Sequence, residues 1–122
     1  GLDGLDEISL LGKTRINELN DGEITTYEIS PEQFGLSRCT LEQIKTGTPQ
    51  ENAETVRGVF SGSIRGARRD AVVLNAAGAL KVGGKVDSFE EGIVLANDIL
   101  DSGDAARKLK ELGEMSHSFQ VA

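Results

Sequence analysis

An acid pair, Asp6-Glu7, stands between the approach GLDGL and the apolar run ISLL. Adjacent carboxylates on a loop are hard oxygen donors, and Mg²⁺ takes one or two of them together with waters and substrate phosphates. Spacing alone favours a solvated acidic stretch, because hard-cation sites leave only weak local signatures. Asp3 is a third acid nearby, with a weaker case still. The run SIRGARR offers Arg65, Arg68 and Arg69 as a phosphate anchor, but a charge block entering a helix ordinarily faces water. KVGGK, residues 81–85, has the composition of a phosphate loop without the G-x-x-x-x-G-K-[ST] spacing or a strand before it. It reads as a helix end and a turn.

Three single residues complete the inventory. Cys39 follows Arg38, which would lower a thiol pKa, although a small buried hydrophobe accounts for it equally well. His117 has no acid or nucleophile arranged around it. Asn75 interrupts an apolar segment, and a buried amide needs partners, so a hydrogen bond to a neighbouring loop is expected.

The bulk composition removes most other chemistries. One Cys and one His leave neither a Zn cluster nor a Cys/His nucleophile pair. A lone cysteine forms no internal disulfide and suits a reducing cytosol. The formal net charge of −7 opposes a nucleic-acid partner and an anionic membrane surface. No stretch approaches the ~20 apolar residues of a bilayer span, and no secretory or Arg-rich leader is expected. At 122 residues the chain fits one domain, with a core built mostly of aliphatics.

Elements must position these residues. Asn20-Asp21-Gly22 lies between two β-forming segments of Lys13–Ile29 and predicts a hairpin with a tight turn. From Thr40 the period becomes helical. Leu41 and Ile44 form a short helix, and Thr48-Pro49 reads as a cap and first-turn proline. The helix beyond it presents Ala53, Val56, Val59 and Phe60 on one face and stops at Gly62. ARRDAVVLNAAGALKV is apolar on nearly all sides and predicts a buried helix, its small residues permitting close approach by another element. Ser88 and Glu91 form a capping box before FEEGIVLANDILDSG. DAARKLKELGE predicts a last helix with Ala106, Leu109 and Leu112 inward. The resulting picture is a β-hairpin followed by about four helices, without the βαβ alternation that builds a parallel sheet. A lone hairpin is marginal in water, so this is an incomplete part of a larger domain.

GLDGLDEISLLGKT, ELNDGEITTYEISPEQFGL, DAVVLNAAGAL and FEEGIVLANDILDSG occur in an order that closely resembles the C-terminal part of anthranilate phosphoribosyltransferases, from Gly1 to about Leu112. The resemblance implies a pentosyl glycosyltransferase of tryptophan biosynthesis. Such an enzyme moves phosphoribose from phosphoribosyl pyrophosphate to the amino group of anthranilate and releases pyrophosphate. It implies an α/β fold, of which residues 1–122 are the C-terminal part; beyond Leu112 the chain has no helical period, and 113–122 is expected to be a frayed tail. It also implies Mg²⁺ as cofactor with Asp6 and Glu7 as its ligands, a homodimer in the full-length family, and a cytoplasmic location. The family's glycine-rich pyrophosphate loop of G-T-G-G-D type has no counterpart here, and neither do the upstream anthranilate-binding residues or the helical domain. The expectation is therefore a segment inactive alone, which needs the missing N-terminal part of the same enzyme. The alternatives are a non-catalytic partner or regulatory module, or a nucleoside-phosphorylase-like relative.

Overall fold

The computed structural model describes residues 1–119. An irregular segment of residues 1–13 leads into an antiparallel hairpin, β1 (Thr14–Asn20) and β2 (Glu23–Ile29). A 3₁₀ turn (Pro31–Phe34) and five α-helices follow: α1 (Leu41–Ile44), α2 (Pro49–Ser61), α3 (Ala67–Val82), α4 (Phe89–Ser102) and α5 (Asp104–Ser118). This is the hairpin-then-helices order expected of an α/β fragment, with one single-turn helix among the five.

The hairpin register pairs Thr14 with Ile29 and Asn20 with Glu23, leaving Asp21 and Gly22 as the two-residue loop. Both have positive φ, 49° and 81°, as the tight mirror-image turn requires. Thr14 and Ile29 are buried at the base of the hairpin, whereas Leu19 and Ile24 near its tip are exposed. Midway along it, Glu18 accepts a hydrogen bond from the Tyr27 hydroxyl (2.8 Å) and pairs with Lys81 of α3. Burial and that carboxylate push the Tyr27 hydroxyl up to about 12.

α3 and α4 both contribute to each of two apolar clusters. Leu74 and Ala77 join Leu10, Ile29 and Phe89, while Val73 joins Val59, Ala96 and Leu100. The small residues of α3 permit the close approach expected of them. A Cβ on Gly92 of α4 would lie 2.8 Å from the Cα of Ala77, so only glycine fits that crossing. The caps follow the sequence too. The Thr48 hydroxyl accepts from the Glu51 amide, and the Glu51 carboxylate accepts from the Thr48 amide. At α4, Ser88 accepts from the Glu91 amide, but Glu91 turns its carboxylate to the amide of Asp87 instead of Ser88.

Four expectations need correction. α3 is not buried all round: Val72 and Val82 are exposed, Val82 at 92%, because nothing among the described residues covers that side. On α2, Val59 is buried but Val56 is exposed for the same reason. On α5, Ala106 and Leu112 face solvent, Leu112 at 62%, and Ala105 instead packs against the Val59 cluster. The tail expected from residue 113 is helical through Ser118, continuing a ladder that includes the Lys110–Glu114 pair. The rest of that tail, residues 120–122, lies outside the described residues. No helix among the described residues is long and apolar enough to cross a membrane.

Candidate functional site

The segment carrying Asp6 and Glu7 has no regular structure, so its shape must come from side-chain hydrogen bonds and burial. Leu10 supplies the burial, at 1% exposure within the Ile29–Leu74–Phe89 cluster. Its carbonyl accepts from the Cys39 amide at 3.1 Å. Ser9 is the polar hub. Its amide donates to the Thr14 hydroxyl (2.9 Å), and its own hydroxyl donates to Asp3 Oδ2 (2.5 Å) and accepts from the Leu11 amide (2.9 Å). Asp3 Oδ1 accepts from the Leu5 amide at 3.1 Å. The Ser9 hydroxyl and then the Leu5 amide hold the Asp3 carboxyl below the usual aspartate range. Asp3 is thus engaged in shaping the turn rather than offered outward.

Asp6 and Glu7 sit between these fixed points, and both are exposed. Among the described residues, no group of three or more His, Cys, Asp or Glu side chains could hold a metal ion. The pair nevertheless has the right donor chemistry for Mg²⁺, which accepts one or two carboxylates and fills its remaining positions with water and phosphate oxygens.

The residue immediately after the pair is gripped by α3. Asn75 Oδ1 accepts from the Ile8 amide at 3.0 Å, and Asn75 Nδ2 donates to the Ile8 carbonyl at 2.9 Å and to the Ala71 carbonyl at 3.0 Å. One turn along α3, Gly78 leaves room for the Ile8 side chain: a Cβ there would lie 2.9 Å from Ile8 Cδ1. A groove of about 710 Å³ adjoins this contact, lined by Ile8, Asn75 and Gly78 on one side and by Glu18 and Tyr27 of the hairpin on the other.

The remaining candidates have structural employment. Arg69 is buried, at 4% exposure, contrary to the solvated-loop reading. Its Nη2 reaches Asp101 (2.9 Å) and Asn97 (2.9 Å), tying α3 to α4. Asn97 and Asp101 stand four apart, one helical turn, which is the sequence signal for that clamp. Arg68 donates to the carbonyls of Gln43 and Lys45 and to the Thr55 hydroxyl, fixing the α1–α2 connection. Arg65 is exposed and reaches Asp101 at 3.6 Å. Lys81 is held by Glu18, and Gly83-Gly84 form the turn after α3, as expected of KVGGK. Arg38 pairs with Glu32 and not with Cys39, whose thiol is pushed up by burial and then by Asp70. His117 is exposed on α5.

With this geometry in place, comparisons with known proteins are informative. Residues 1–106 match the family described as "Glycosyl transferase family, a/b domain". Among curated relatives, the anthranilate phosphoribosyltransferase of Methanobrevibacter smithii is 49% identical over 118 residues, covering 97% of this chain and 35% of the relative. That of Desulfosudis oleivorans is 48% identical over the same shares. Among solved structures, the anthranilate phosphoribosyltransferase of Thermus thermophilus superposes with a TM-score of 0.80 at 38% identity, covering 89% of this chain and 32% of that one. The Saccharomyces cerevisiae enzyme in complex with PRPP and Mg gives 0.80 at 30% identity, covering 90% and 32%. The chain therefore spans about a third of the length of the curated relatives it matches. By the match across its first 106 residues, the chain belongs to the glycosyl transferase family, within the α/β domain.

Proposed function

We propose that this chain is the C-terminal segment of an anthranilate phosphoribosyltransferase, in which Asp6 and Glu7 hold Mg²⁺ against the pyrophosphate of phosphoribosyl pyrophosphate. The observation that carries the reading is an exposed pair of hard oxygen donors directly before a residue gripped through its main chain by a core helix. When bound, the cation neutralises charge that develops on pyrophosphate as the bond to the anomeric carbon breaks. The carboxylates supply ligand oxygens and the loop fixes their direction. No protein nucleophile takes part, in keeping with a Cys39 thiol that burial makes harder to ionise.

On this reading the upstream two-thirds supplies the glycine-rich pyrophosphate loop, the anthranilate contacts and the homodimer surface, and the 122-residue chain is inactive alone. The assembled enzyme acts in tryptophan biosynthesis in the cytoplasm. A coupled assay of phosphoribosylanthranilate formation tests both halves of the proposal. The chain alone should give no turnover, and adding the upstream two-thirds of the Methanobrevibacter smithii relative should restore it. Turnover by the chain alone would sink the claim of inactivity. In the reconstituted enzyme, Asp6→Asn with Glu7→Gln should raise the Mg²⁺ concentration needed for half-maximal activity. An unchanged Mg²⁺ dependence would remove the ligand assignment.

A further inference from the structure

Asn75 makes more hydrogen bonds to the acid loop than a solvated or merely tolerated amide requires. Its oxygen and nitrogen together take up both main-chain polar groups of Ile8, at 3.0 and 2.9 Å, across 67 residues of sequence. Its second amide proton goes to the Ala71 carbonyl at 3.0 Å, which fixes the side chain against its own helix. The side chain is thus a rigid two-point clamp on a single peptide neighbourhood. Gly78, three residues on and so on the same helix face, receives the Ile8 side chain at a spacing that excludes a Cβ without adjustment. Backbone and side chain of one residue are docked separately, and that residue follows Glu7.

The rest of the loop is fixed elsewhere. Ser9, Leu10 and Leu11 are held through Thr14, Cys39 and the core, and Asp3 through Ser9 and Leu5. These contacts set the path of the chain on either side, and the Gly1 amino group donates to the Glu7 carbonyl at 3.0 Å; what remains to be held is the amide end of the peptide joining Glu7 to Ile8. The Ile8 amide belongs to that very peptide, and Asn75 holds it. Ligand-bearing groups whose supports are fixed by neighbouring hydrogen bonds lose affinity when those supports are removed.

We propose that Asn75 is a positioning residue for phosphoribosyl transfer: by clamping the main chain of Ile8, with Gly78 receiving its side chain, it fixes the direction in which Asp6 and Glu7 present their carboxylates to Mg²⁺. The proposal rests on the reading of Asp6 and Glu7 as Mg²⁺ ligands given above.

Two measurements test it separately from that reading. The first needs neither metal nor activity. In the 122-residue chain, Asn75→Leu removes the clamp at similar volume, and amide hydrogen exchange across residues 5–11 should quicken by roughly tenfold, the scale of two lost part-buried hydrogen bonds. Exchange within α4 should stay as it was. Unchanged exchange at residues 5–11 would overturn the clamp, and so would a uniform rise throughout the chain in both Asn75→Leu and the milder Asn75→Asp. Asn75→Asp keeps the acceptor for the Ile8 amide and loses the donor to its carbonyl, so it should fall between wild type and Asn75→Leu.

The second measurement uses the reconstituted enzyme. Asn75→Leu should raise the Mg²⁺ concentration for half-maximal activity about tenfold while leaving the KM for anthranilate within about twofold. Asn75→Asp should recover part of that loss. A residue that only stabilises the fold would lower the melting temperature without this split, and that result would overturn the positioning role. If Asp6→Asn with Glu7→Gln leaves the Mg²⁺ dependence unchanged while Asn75→Leu still quickens loop exchange, the ligand reading has failed and the clamp has not.

Discussion

The segment of residues 1–13 contains no helix or strand, yet Ser9 and Leu10 within it are each 1% exposed. α5 is a regular helix of 15 residues and buries none of them. The contrast separates regularity from fixation. A helix satisfies most of its main chain through local hydrogen bonds, whatever lies beside it. An irregular loop must find partners for its amides and carbonyls outside any regular ladder, and here they are Asn75, Thr14 and Cys39 from the body, with Gly1, Asp3, Ser9 and Lys13 within the segment itself. The loop is consequently the better place to hold ligands in a fixed geometry, because its shape is determined by the packed body beneath it.

The sharpest way to break the contrast is to remove the loop's apolar root. Leu10→Ala deletes a side chain enclosed by Ile29, Leu74, Ala77 and Phe89, and should cost about 2–5 kcal/mol in urea unfolding. Exchange at residues 5–11 should rise with it. A loss below about 1 kcal/mol would mean that the core closes without the loop, and the loop's fixation would then rest on hydrogen bonds alone.

A smaller effect isolates the polar part. Ser9→Ala removes the donor to Asp3 and the acceptor for the Leu11 amide, and the expected loss is about 1–2 kcal/mol at neutral pH. The pH dependence has a definite sign. Asp3 is held below its unfolded value, first by Ser9, so its contribution is present above the unfolded aspartate range and is lost as pH falls through the lowered folded value. The difference between wild type and Ser9→Ala should therefore narrow below about pH 4. A difference that stays constant down to pH 2 or so would assign the loss to the Leu11 amide and not to Asp3.

These same elements show what could be read from the sequence. The hairpin was legible because Asp21-Gly22 is a pair whose backbone preferences admit essentially one short turn. The caps at Thr48 and Ser88 were legible because they are local. Asn75 was half legible: an amide in an apolar run must find partners, but nothing local says that they are both main-chain groups of Ile8. Arg69 was misread because its partners, Asn97 and Asp101, are 28 and 32 positions away, and a charge run carries no record of distant acceptors. Gly92 was silent for the same reason, since its meaning lies in Ala77 of another helix. The stripe on α5 predicts an inward face that only half-buried Leu109 approaches, because periodicity reports amphipathicity without reporting a partner. Asp6 and Glu7 are ambiguous by spacing, and the clamp on Ile8, the residue that follows them, leaves no trace in that spacing.

The smallest predicted effect tests the other side of the contrast. α5 meets the body at its N-terminal end, where Ala105 packs on the Val59–Val73–Ala96–Leu100 cluster, and Leu109 one turn further on is half-buried. Beyond that point its cohesion is local, with Arg107 reaching Asp104 (3.1 Å) and Glu111 (3.7 Å), and Lys110 reaching Glu114 (3.8 Å). Exposed pairs of this spacing contribute about 0.3–0.5 kcal/mol each and weaken further in salt. Lys110→Ala should therefore change the stability of the chain by no more than about 0.5 kcal/mol, and Leu112→Ser by a similarly small amount because Leu112 already faces solvent. Urea midpoints at low and high ionic strength measure both. A loss comparable to that of Leu10→Ala would show α5 to be fixed by more than its own turns, and the separation of regularity from fixation would fail for this helix. The expected near-neutral result instead leaves α5 cohering through local bonds, while the acid loop needs distant partners, Asn75 and Cys39, as well as its local ones.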